Sequence, residues 1–482
     1  MQSHLVFLSL ILLVSAPFFL HPRRRIRTVG GSAVPVVKSS LLNFGVDNAL
    51  WFLRDPAGFL DYASARYGPV FMINILGLKK VAFITHPISV TQLEREVRGL
   101  DGTHEIEKAA MAATGLRDVR RMVALMSDKL VPLMVPTMSS RALAAPGRTE
   151  AWLQILDKVL ADTIPSGRPT TIPLYQFIAK TMFSVSSAFL FGSTFPTDTY
   201  QDFVTTLDNF LILTSPISPY TPFLKGNRAR DRLLVRVMQY LQPCWAPEAN
   251  VGTVLSDAHD IIVESVQIMK DANLSLKEAA GTLIGFHFGL HGNVWFHMYQ
   301  MLGRVLLDPD WRTIIQDEIR TNEDVANMKL LESTMHEALR RPFRIVQLRT
   351  VPDDTEIYLG GTRYFFEKGT VILPKSFTHD ETVYKDPFEF RPDRFLDPQL
   401  PKARVWGEGR RICKGRDLAR FQMMRFVEAC FKRFDMKIVD GKGEAVNMPA
   451  AERPPFNPES SILLVFSVPE SKDLSVQISP RE

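Results

Sequence analysis

The chain has 482 residues, 46% of them hydrophobic and 23% charged, proportions that suit a globular protein with a large core and argue against a disordered or collagen-like chain. The net charge of +5 is mild, and no Lys/Arg tract is interleaved with aromatic residues, so nothing points to nucleic acid; a basic surface suits an anionic membrane or an acidic protein partner. Three scattered cysteines, an odd number, argue against a disulfide framework and suit a reducing compartment.

Residues 5–20 are nearly all apolar, and Arg23, Arg24, Arg25 and Arg27 follow them. A cleaved signal peptide carries its positive charge ahead of the apolar core. Here residues 1–4 carry none. The pattern predicts an N-terminal membrane anchor over residues 1–27, with the body of the protein on the cytosolic side. The apolar run is shorter than the ~20 residues of a spanning helix, so a tilted or interfacial anchor stays open beside a single pass. Residues 28–38, with Gly30, Gly31 and Pro35, read as a hinge.

Residues 67–87 read as two strands joined by a turn at Gly77. A helix is expected near residues 119–126. Pro132 and Pro136 then interrupt the apolar run. Arg120 and Arg121 read as charged helix surface. In 203–227, Phe210, Leu211, Ile212 and Leu213 precede Pro216, Pro219 and Pro222, which predicts an apolar loop between helices. Ser275 and Glu278 have capping-box spacing and open a long apolar helix running to about Leu307, stopped by Asp308-Pro309-Asp310. Inside it lies Gly289-Leu290-His291-Gly292-Asn293. His291 can donate a proton near neutral pH, or simply pack. The Asn293 amide can hold a water or an oxygen atom by hydrogen bonding.

Glu337 and Arg340 are three apart and share a helix face. Downstream comes Asp386-Pro387-Phe388-Glu389-Phe390-Arg391-Pro392-Asp393-Arg394-Phe395, and then Trp406-Gly407-Glu408-Gly409-Arg410-Arg411-Ile412-Cys413-Lys414-Gly415. A helix is expected from Arg416 onward. A thiol at its N-terminus feels the positive end of the macrodipole and free N–H groups, which favour the thiolate. Cys413 therefore reads either as a cofactor ligand or as a buried structural thiol.

The last stretch resembles the heme-binding signature of the cytochrome P-450 family: an aromatic residue, Gly-x-Gly, an Arg two before the Cys and a Gly two after it. Trp406 stands where most members have Phe. The resemblance implies a mostly helical fold with a small β-rich lobe, one catalytic domain over residues 28–482, and heme b between the long central helix and the cysteine loop. Cys413 would be the axial thiolate on iron, with Arg411 on a heme propionate and Trp406, Gly407, Gly409 and Gly415 shaping the loop. The Asp386–Phe395 stretch resembles the family segment that completes a buried Glu337–Arg340–Arg394 triad, whose role is to hold that loop.

Two features depart from the family pattern. The Trp-x-x-x-Arg of the third helix is absent, so the resemblance leaves Arg120 or Arg121 to meet the heme if they are not simply helix surface. The acid–alcohol pair of the central helix is also missing, with Gly292 and Asn293, or His291 and Gly292, in its place. The His-Gly-Asn resembles the branch containing prostacyclin synthase and the steroid 7-alpha- and 12-alpha-hydroxylases. The resemblance implies a monooxygenase at the endoplasmic reticulum membrane, fed by NADPH-cytochrome P-450 reductase and acting on a lipophilic small molecule. An oxygen-independent isomerase or dehydratase, or a non-catalytic heme- or sterol-binding protein, stays open beside it.

Overall fold

The computed structural model of the chain describes residues 32–39, 45–75, 79–95, 100, 103–164, 168–214, 218, 221–341, 349–407, 412–447, 468 and 473–481. The anchor expected over residues 1–27 lies outside them. No described helix is long and apolar enough to cross a membrane.

Among the described residues, ten short strands form three sheets. In chain order they are β1 (Ser32–Ala33), β2 (Val70–Ile75), β3 (Lys79–Ile84), β4 (Thr170–Pro173), β5 (Arg349–Thr350), β6 (Thr355–Leu359), β7 (Thr362–Phe366), β8 (Val371–Pro374), β9 (Phe434–Val439) and β10 (Ser475–Pro480). The largest sheet has the order β2-β3-β8-β5, with β2 and β3 antiparallel, as the alternation in residues 67–87 predicts. Both of its faces are covered. Phe71, Ile73 and Phe83 pack on one side with Leu373, while Val70, Met72, Ala82 and Ile84 pack on the other with Ile372. Side chains alternate across a strand, so a continuous apolar run here supplies two cores.

The helices that surround the main core are α1 (Arg120–Leu125), α2 (Val131–Thr137), α3 (Leu174–Phe191), α4 (Tyr200–Asp208), α5 (Asp260–Asp271), α6 (Leu276–His291), α7 (Val294–Leu307), α8 (Lys329–Arg340) and α9 (Arg416–Arg433). Most of their inward side chains belong to one hydrophobic cluster, which sits between α3, α7 and α9.

One expectation is borne out and a second is corrected. The helix after α1 is short, seven residues, as its two prolines predict. A π-helical segment, Met126–Leu130, joins α1 to α2, with the Val131 N–H reaching back five residues to the Met126 carbonyl. Pro132 brings no N–H, so an ordinary α register would leave the Asp128 carbonyl without its donor.

The long apolar helix is two helices. The capping box forms at Ser275, whose Oγ accepts the Glu278 N–H at 3.3 Å while Glu278 Oε2 accepts the Ser275 N–H at 2.8 Å. The helix stops at His291 and restarts at Val294. Gly292 and Asn293 are poor helix formers, and Asn293, at φ −102°, lies well off the α-helical value.

Candidate active site

A cavity of about 360 Å³ lies where α6, α7, the α1–α2 run and the start of α9 meet. Its lining is mostly aliphatic, aromatic and methionine side chains. Among the described residues it includes no Asp, Glu, Ser, Thr or Tyr. The polar side chains on it are Asn293, His297, Cys413, Lys414 and Gln422.

Cys413 reaches the cavity from the loop just before α9. Gly407 turns that loop at φ +75°, a conformation that a side chain would strain. The Cys413 N–H then donates to the Trp406 carbonyl at 2.8 Å and closes the loop. Trp406 and Gly415 line the cavity beside the thiol. The thiol itself is exposed, whereas Cys244 and Cys430 are buried away from the cavity. The concave surround withholds water and raises the Cys413 pKa, while the Gly415 N–H and the charges of Arg416 and Lys414 pull it back down. One thiol held by a backbone N–H at a helix start, open to a mostly apolar cavity, fits a thiolate-ligated metallocofactor. Arg411 and Gly409 lie outside the described residues.

The structure brings Glu337, Arg340 and Arg394 together. Arg340 donates its Nε and Nη2 hydrogens to Glu337 at 2.8 and 2.7 Å, and Arg394 donates from Nε at 3.1 Å. All three side chains are buried. The remaining donors are satisfied as well. Arg340 Nη1 donates to the Thr378 carbonyl, and Arg394 donates to the carbonyls of Lys385 and Asp386. The Arg391 N–H adds a fourth donor to the carboxylate at 3.1 Å. These bonds tie the segment from Thr378 to Arg394 onto α8, immediately ahead of the Cys413 loop.

The two residues proposed from the central helix part company. Asn293, at the α6–α7 break, is exposed to the cavity. His291 is buried on another face, against Phe183, Phe203, Trp295 and His287, and does not line the cavity. Both of its ring nitrogens lack a hydrogen-bond partner, and burial together with His287 holds its pKa well below the ordinary value. Arg120 pairs with exposed Asp118, and Arg121 donates to the Ala272 carbonyl; neither lines the cavity. In the apolar loop, Phe210–Leu213 is a short helix, and the Asn227 amide ties down the carbonyls of Ser218 and Thr221.

Sequence reasoning missed three contributors. Met126, Val131, Met134 and Met138 face the cavity at spacings of five, three and four. The five-residue step spans the π segment, so no α periodicity could reveal the face. His297, one turn past Asn293, lines the cavity with Nδ1 3.4 Å from the Ala338 carbonyl; burial depresses its pKa to about 4. Its spacing from Asn293 was the available signal. Gln422 lines the cavity too, and donates to Ser186 Oγ at 2.9 Å.

Comparison with known proteins agrees with this arrangement. The Cytochrome P-450 family model matches residues 42–454. Cytochrome P-450 7A1 of Sus scrofa is 22% identical over 440 residues, covering 81% of this chain and 85% of that protein. The cytochrome P-450 monooxygenase CLM2 of Gibberella zeae is 32% identical over 136 residues, or 27% of this chain and 25% of that one. The solved structure of retinoic-acid-bound cyanobacterial CYP120A1 superimposes with a TM-score of 0.64 at 20% identity, covering 93% of this chain and 99% of that one. The chain belongs to the cytochrome P-450 family. It is a cytochrome P-450 monooxygenase, and its cofactor is heme b held by a cysteine thiolate.

Proposed function

We propose that this enzyme is a membrane-anchored monooxygenase that oxidises a lipophilic small molecule of specialised metabolism, terpenoid, steroid-like or polyketide. Its electrons come from NADPH-cytochrome P-450 reductase at the endoplasmic reticulum. The carrying observation is that Cys413, alone among the cysteines, opens onto an apolar cavity that Asn293 also lines.

Cys413 would hold the heme iron through its thiolate. Trp406, Gly407 and Gly415 hold its loop, and the Glu337–Arg340–Arg394 triad holds the segment ahead of it. Arg411 is the proposed propionate partner. Bound there, heme would supply dioxygen activation, with the thiolate pushing electron density toward O–O cleavage. The apolar walls desolvate and orient the substrate. The Asn293 amide holds the water that passes protons into the cavity, because no acid or hydroxyl side chain on the described lining can do so.

Cys413→Ala tests the ligand. The thiolate-type spectrum of the reduced carbon monoxide complex should vanish, while Cys244→Ala and Cys430→Ala keep it. An unchanged Cys413→Ala spectrum refutes the assignment. Removal of residues 1–27 tests the anchor. Much of the protein should leave the membrane fraction with its heme-binding intact, whereas wild-type protein secreted after cleavage near Ala16 would oppose an anchor.

A further inference from the structure

Near its end α8 has a carbonyl that the helix itself cannot satisfy. In an α-helix the Ala338 carbonyl would accept from the N–H of residue 342, and residue 342 is proline, which has none. The carbonyl before it is served in the ordinary way, by the Arg341 N–H to Glu337 at 3.3 Å. Ala338 is buried, and a buried carbonyl left without a donor is costly. The donor comes from another helix. His297 of α7 places Nδ1 3.4 Å from the Ala338 carbonyl oxygen. A carbonyl can only accept, so this contact puts the ring hydrogen on Nδ1. Burial holds the His297 pKa at about 4, so the ring is neutral near pH 7 and has one ring N–H, which goes to this bond.

The bond joins the two arrangements described above. On one side, the His297 backbone N–H donates to the Asn293 carbonyl at 3.2 Å in the first turn of α7. On the other, Ala338 directly follows Glu337, the carboxylate that Arg340 and Arg394 share. We propose that His297 is a positioning residue for the oxidation: it supplies the donor that Pro342 lacks and pins the first turn of α7, with Asn293, to the triad helix α8. Without the pin the two helices are free to slide past each other, and Asn293 loses its place on the cavity wall while the triad keeps its own bonds. The proposal rests on the function given above to Asn293, and it names a residue that acts through Asn293 and touches neither the reacting atoms nor the thiolate loop.

Two substitutions separate the pin from mere satisfaction of the carbonyl. His297→Phe keeps a flat ring and removes the N–H. Pro342→Ala gives Ala338 a backbone donor within α8, but does not tie α7 to it. The holoenzymes of wild type, both single variants, the double variant and His297→Gln are compared by heme content, melting temperature and product per NADPH consumed. His297→Phe should melt lower than wild type and lose about tenfold or more in product per NADPH. The double variant should recover the melting temperature and not the coupling. His297→Gln, which keeps a side-chain N–H, should retain more of both than phenylalanine does, and Pro342→Ala alone should couple as wild type does. Recovery of coupling in the double variant would show that the bond only satisfies a carbonyl and positions nothing. His297→Phe that melts and couples like wild type would show that the bond carries no weight. Asn293→Ala that couples like wild type would instead refute the reading on which the proposal rests, and the melting temperatures of His297→Phe and the double variant would still read the bond itself.

Discussion

Glu337 receives both arms of the Arg340 fork, at 2.7 and 2.8 Å, with neither side chain exposed to solvent. Charges taken so far from water persist only when every donor and acceptor is matched. Here they are, because Arg394 and the Arg391 N–H complete the carboxylate and backbone carbonyls complete both arginines. The guanidinium of Arg340 also lies 5.2 Å over the Tyr384 ring. Glu337→Ala leaves two buried cations without their anion and should cost about 3–5 kcal/mol. The expected result is poor heme incorporation and aggregation, read by heme content per chain and by denaturant unfolding. Full heme content and normal stability would show that the Cys413 loop does not depend on the triad.

A second consequence concerns pH. His287 stacks on Phe191 and Phe195 at ring-centroid distances of 4.4 and 4.6 Å, and its neighbour His291 packs on Phe183, Phe203 and Trp295. No carboxylate faces the pair among the described contacts, and each ring reaches the other at 5.2 Å. Burial lowers the pKa of His287 from 6.5 to about 3. Between those values the unfolded chain binds a proton that the folded chain refuses, so stability rises with pH and falls on acidification. Each such group contributes a slope of about 1.4 kcal/mol per pH unit. The enzyme should lose stability steeply from pH 6.5 toward 4. His287→Phe should remove about one group's share of that slope, measured as unfolding free energy against pH. A slope unchanged in His287→Phe would mean that the ring is already protonated in the fold.

These two sites show what the sequence could and could not convey. Glu337, Arg340 and Arg394 sit in segments whose residue order resembles a known family, and their chemistry admits few other arrangements once they are buried. The strand pair at β2–β3 and the capping box at Ser275 are local patterns, readable from neighbours a few residues apart. The π segment at Met126 is different. Pro132 removes a backbone donor there, and the wider turn sets Met126 on the cavity with Val131, Met134 and Met138 without any periodic sign. The break at Gly292–Asn293 interrupts a run whose apolar pattern continues on both sides, so hydrophobicity alone joins what the backbone separates. The side of the helix on which His291 falls likewise depends on the aromatic residues of α3 and α4, more than a hundred positions away for Phe183.

The break also decides what Asn293 can do. It opens α7 with its side chain exposed to the cavity, while His291 two residues earlier is turned into the aromatic cluster. Proton delivery by a positioned group is typically worth about 10²–10⁴-fold, or roughly 3–5.5 kcal/mol of barrier. The described lining has no acid or hydroxyl side chain, and in the proposed function that task falls to a water held by the Asn293 amide. Asn293→Ala should therefore uncouple the enzyme: NADPH consumption continues, hydrogen peroxide rises, and product per NADPH falls on the order of tenfold or more. Asn293→Thr restores a hydroxyl that can hold the same water, and it should retain more product than alanine does. The measurement is the ratio of product to NADPH consumed, with peroxide quantified in parallel, across wild type and both variants. If the ratio is equal in all three, Asn293 has no place in the proton path, and water entering the cavity unaided carries the proton.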